Sequence, residues 1–105
     1  MTHELPTQDG RRKAEIVADI ARLVGSPPPP VAHGSREPKI ILCIVNDRLG
    51  LGFDNARSKP ELAQAICLAA GVPWTPACWS RPMTLTRVGL LHVELAVKNL
   101  VAPLA

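Results

Sequence analysis

The chain has 105 residues, enough for one domain with a modest core. Hydrophobic residues make up 47% and charged ones 20%, which excludes a polar disordered chain; aromatics at 3% leave the core to Leu, Ile, Val and Ala, as in closely packed helices. The net charge is +3, and the excess lies in the second half, where Arg57, Lys59, Arg81, Arg87 and Lys98 face only Glu61 and Glu94, a bias compatible with a nucleic-acid partner.

A flexible start over residues 1–8 is expected, then a single helical domain over 9–102. Thr7 or Asp9 can cap a first helix from about Asp9 to Val24, whose stripe Ile16, Val17, Ile20, Leu23 and Val24 has helical spacing and stops at Gly25. Arg11, Arg12 and Lys13 would then sit in a first turn that the helix dipole makes unfavourable for cations. Either the helix starts later or these side chains have an anionic partner; solvated charges on a frayed end is the simpler expectation. Pro27 to Pro30 make residues 26–34 a stiff polyproline connector.

Ser35 opens the next element. The run Lys39 to Val45 reads as a buried strand by its β-branched residues. Pro38 in a first-turn position and continuation to a stop at Gly50 favour a helix instead, with Ile40, Ile41, Ile44, Val45 and Leu49 inward. Ser58-Lys59-Pro60-Glu61 is a capping box with proline in the first turn of a third helix. Leu62, Ala63, Ile66, Ala69 and Ala70 face its core side, and Gly71 stops it. The last helix starts at Thr84, or irregularly at Ser80, and runs to about Val101. Val88, Leu91 and Leu95 form one apolar stripe, and Leu90, Val93, Val97, Leu100 and Val101 another; only Arg87, Glu94, Lys98 and Asn99 want water. A helix apolar nearly all round is central or shared with a second chain, and the second stripe is the candidate dimer or partner interface.

One phrase recurs along this order. Gly50-Leu51-Gly52-Phe53 leads to Ser58-Lys59-Pro60, and Gly71-Val72-Pro73-Trp74 leads to Ser80-Arg81-Pro82. A degraded copy runs from Gly25 to Ser35-Arg36. The fold expected is all-α: four helices built from repeated helix-loop-helix units, each loop beginning at a glycine and ending at serine plus a basic residue. Phe53 and Trp74, each three residues past its glycine, are expected to plug the loops onto the core, base stacking being the functional alternative.

The Ser-(Arg/Lys) pairs carry the main functional expectation. A helix start offers free N–H groups and a positive dipole to an anion, and a hydroxyl and a cation beside it complete a phosphate contact. The candidate nucleic-acid-binding residues are Arg36, Arg57, Ser58, Lys59, Trp79, Ser80, Arg81 and Arg87, with Trp79 a loop contact. Read this way, the chain is a non-enzymatic, helix-turn-helix-like module for DNA; the second reading is a protein-interaction or dimerisation module. No catalytic residue, cofactor or metal is expected. His3, His33 and His92 are scattered, Cys78 with His92 lacks an orienting third group, and Gly50-Leu51-Gly52 is not followed by Gly-Lys-Ser/Thr. Cys43, Cys67 and Cys78 form an odd set without a CxxC pair and read as reduced thiols of a cytoplasmic protein. No apolar run reaches the ~20 residues of a membrane span, and a membrane partner is not expected.

Overall fold

A computed structural model of the chain describes residues 10–27, 36–80 and 84–102. The expectations for residues 1–8 and for most of the proline connector lie outside these. Four helices carry the apolar stripes: α1 (Lys13–Leu23), α2 (Arg36–Arg48), α3 (Lys59–Ala69) and α4 (Arg87–Val101). The ambiguous run Lys39 to Val45 is helical, inside α2. Between α3 and α4 lie a short 3₁₀ turn (Pro76–Cys78) and an antiparallel pair of two-residue strands, β1 (Trp79–Ser80) and β2 (Thr84–Leu85), with Trp79 opposite Leu85 and Ser80 opposite Thr84.

The helix ends obey one local rule. After α1, α2 and α3 the glycine sits in the left-handed region, at φ 70° for Gly25, 62° for Gly50 and 72° for Gly71. Each glycine N–H bonds the carbonyl three residues back, and the next N–H bonds the carbonyl five back: Ser26 to Ala21 (2.9 Å), Leu51 to Asn46 (3.0 Å) and Val72 to Cys67 (2.9 Å). These are three Schellman stops, in which a residue without Cβ takes the left-handed turn and the last carbonyls are satisfied.

The helix starts do not repeat. Ser58 caps α3 as its sequence requires, accepting the Glu61 N–H at 3.4 Å. Ser80 does not cap α4: it lies in β1, and α4 begins seven residues later behind Thr86, whose hydroxyl accepts the Gly89 N–H at 3.1 Å. Thr86 wins because its backbone and side chain are both tied to the preceding turn. Its N–H bonds the Cys78 carbonyl at 3.0 Å, and its hydroxyl donates to the Ala77 carbonyl at 2.6 Å. The first helix also starts later than Asp9. Arg12 is its N-cap, and the Glu15 carboxylate reaches back to the Arg12 N–H at 3.1 Å, so Glu15 is in the first turn and, of the three cations, Lys13 alone shares it.

The core is one aliphatic cluster fed by all four helices, including Ile16, Ile20, Ile41, Leu42, Leu62, Ile66 and Leu90. On α2 the inward face is Ile41, Leu42 and Val45, with Ile40 at the surface; on α3 Cys67 is buried and Ala69 is exposed. α4 is the central element, packed by α1, α3 and the 3₁₀ turn. That settles its second stripe. Leu90, Val93 and Val97 are fully buried within this chain, and Leu100 and Val101 are half-buried against the same core. Of the stripe expected to meet a partner, Leu90, Val93 and Val97 belong to the protein's own interior.

Candidate nucleic-acid interface

The joint between α2 and α3 brings basic residues together, and a buried asparagine shapes it. Asn46, 4% exposed, uses its whole amide on the loop: Oδ1 accepts the Phe53 N–H (3.0 Å), and Nδ2 donates to the Phe53 carbonyl (2.7 Å) and to Asn55 Oδ1 (2.8 Å). Asn55 in turn donates to Asp47 at 3.4 Å. Further along, the Lys39 ammonium donates to the Arg57 carbonyl. Phe53 and Asn55 thus meet the end of α2 and Arg57 meets its first turn, so the loop runs back along α2. The result is geometric: Lys39, in the first turn of α2, reaches Arg57, two residues ahead of α3.

This end therefore collects the N-terminal ends of two helices with Arg36, Lys39, Arg57, Ser58 and Lys59. Arg57 is exposed, and its guanidinium carbon sits 5.9 Å from the centroid of the half-buried Phe53 ring. The Ser58 hydroxyl donates to Glu61 Oε1 at 2.8 Å, which occupies that carboxylate locally. Lys59 is half-buried and engaged within the chain. Arg36 is the first residue of α2, and its side chain lies outside what is described.

The remaining candidates do not join this group on the contacts they make. Trp79 is 36% exposed and Ser80 is exposed, both in β1. Arg81 lies outside the described residues. Arg87 donates its Nε–H to the Arg11 carbonyl at 2.6 Å and belongs to a different cluster. There, Arg11 grips Glu94 through both nitrogens at 2.6 Å and reaches Asp19 at 2.6 Å, and Arg22 pairs with Asp19. Glu94, expected to face water, is 5% exposed. The Asp19 carboxyl is held below the usual carboxylate range, chiefly by the Arg11 hydrogen bond and against the opposing effect of burial. The cations at the start of α1 are thus not all solvated on a frayed end: Arg11 has two anionic partners.

Phe53 and Trp74 are half-buried and packed against the core, as loop plugs should be. Leu51 and Val72, the residues after the two glycine stops, join the same cluster, Val72 fully buried. Two functional-looking groups are buried. Burial pushes the Cys67 thiol up to about 12, with Cys78 adding to the shift, so it stays protonated and is no nucleophile near neutral pH. His92, 8% exposed, has Nδ1 at 2.9 Å from the Val88 carbonyl, one turn back in its own helix, and a carbonyl can only accept.

Among the described residues no three His, Cys, Asp or Glu side chains converge as metal ligands, and no helix is long and apolar enough to cross a membrane. Comparison of the chain with protein-family models, with curated proteins and with solved structures gives no match.

Proposed function

We propose that this chain is a non-enzymatic helical module that binds nucleic acid through its phosphates, DNA in the first instance. The observation that supports the reading is the Lys39 contact to the Arg57 carbonyl, which sets the beginnings of α2 and α3 side by side. Arg36, Lys39, Arg57 and Lys59 then share one end of the molecule with two positive helix dipoles, where an anion is favoured. Of the acids in the same segments, Glu61 is occupied by the Ser58 hydroxyl. Such contacts position a nucleic acid without reading its sequence.

Titration of labelled mixed-sequence DNA across a salt series tests this. Affinity should fall steeply with salt, and Arg57→Ala should lower the log–log slope by about one unit while leaving the melting temperature unchanged. No binding at low salt overturns the reading. A protein-interaction module is the second reading; with the α4 stripe interior, it rests on the exposed ring of Trp79.

A further inference from the structure

We infer that Phe53 and Arg57 form a stacking platform for an unpaired nucleobase, so that the preferred ligand is a single strand and not a duplex. The inference rests on the nucleic-acid reading above and narrows it. Phe53 turns one part of its ring to the core, and the Arg57 guanidinium lies over the ring within cation–π range while the residue itself stays exposed. A planar guanidinium on an aromatic ring is a surface onto which the π-face of any base can be laid.

The platform is held in place before any ligand arrives. Asn46 fixes the Phe53 backbone from both sides, and the Arg57 backbone is held at both ends, its N–H by the Asp54 carbonyl at 3.2 Å and its carbonyl by Lys39. A buried asparagine whose amide is wholly devoted to one loop, at Phe53 and Asn55, keeps that loop from needing to order on binding. Lys39 bonds the Arg57 carbonyl and Lys59 follows Arg57 by two residues, so both are near enough to meet phosphates flanking a stacked base. A duplex keeps its bases stacked inside and can use the cations but not the platform.

The test compares a short mixed-sequence DNA single strand with its duplex at low salt, for wild type, Phe53→Leu and Arg57→Lys. Wild type should bind the single strand about tenfold tighter than the duplex. Arg57→Lys keeps the charge and loses the plane. It should weaken single-strand binding about fivefold and leave duplex binding within about twofold. Phe53→Leu keeps an apolar plug and should show the same selective loss; its melting curve reports whether it folds, and if it does not, Arg57→Lys decides alone because Arg57 is exposed. Equal affinity for strand and duplex, or equal losses on both in Arg57→Lys, overturns the platform while the phosphate-binding reading stands. Binding to neither overturns both.

Discussion

The joints after α2 and after α3 begin alike and end differently. Both start with a Schellman stop at a left-handed glycine, Gly50 or Gly71. The first then runs back along α2 to Ser58, held from beneath by Asn46. The second breaks into a 3₁₀ turn and a strand pair, passes Ser80, and starts its helix at Thr86 against the carbonyls of Ala77 and Cys78. The difference teaches that a helix stop is local chemistry, decided by one residue able to take positive φ. A helix start is a choice among several competent caps, and contacts with other segments make it.

Substitutions at these two joints should break the comparison in graded steps. The largest effect is expected at Gly89, in the first turn of α4. A Cβ there would lie 2.1 Å from the Cys78 carbonyl oxygen and 2.6 Å from Leu85 Cδ1. Gly89→Ala should cost about 3 kcal/mol or more in urea denaturation, despite alanine's better helix propensity. A stabilised variant would mean that the 3₁₀ turn is not docked on α4. Next comes Asn46→Ala, which strands the Phe53 N–H and carbonyl. A loss of about 2–3 kcal/mol is expected, together with faster amide exchange at Phe53.

The two caps should then separate. Thr86 both caps α4 and anchors the 3₁₀ turn, so Thr86→Ala should cost about 2 kcal/mol, counting a lost cap and a lost hydrogen bond. Ser58→Ala removes one cap whose bond is long, and about 1 kcal/mol is expected. If the two variants melt at the same temperature, the joints are not as different as their contacts indicate.

The smallest effect lies away from both joints. Asp19 titrates below its ordinary value because Arg11 donates to it. A depressed folded pKa stabilises above the unfolded value of about 3.9 and the contribution is lost as pH falls through the folded value. The advantage of wild type over Asp19→Asn should therefore be present at neutral pH and shrink as the solution is taken below about pH 4, followed by thermal melts. An advantage that does not change with pH would show that the Arg11 pair contributes nothing through charge.

What was legible in the sequence follows the same division between local and distant causes. Gly25, Gly50 and Gly71 could be read as stops because their conformational freedom belongs to the residue, and Ser58 with Pro60 and Glu61 because cap, first turn and carboxylate are neighbours in the chain. The helical identity of Lys39 to Val45 followed from Pro38 ahead and Gly50 behind. Four partnerships were not legible. Glu94 meets Arg11 across 83 positions, and no local pattern distinguishes it from a solvated glutamate. Gly89 reads as a weak helix former until the Cys78 carbonyl is known to press on it. Ser80 and Thr86 are equal caps by residue type. And the all-round apolar surface of α4 was consistent with a central helix or a shared one, until its neighbours showed that it is central. In the candidate site, Arg57, Ser58 and Lys59 could be named from sequence as candidates, whereas Lys39 could not. Its role depends on the loop doubling back, and that depends on Asn46, a buried polar residue in an otherwise apolar run.

The clasp between Arg11 and Glu94 has a consequence for how the chain is made. α1 packs chiefly on α4, and its Ile16 and Ile20 are fully covered only in the finished bundle. On the ribosome, α1 is synthesised well before its main partner. At ordinary elongation rates some 80 residues separate their emergence by about 4–15 s. Through that interval α1 has α2 but not its main cover, and Arg11 at its head waits for Glu94.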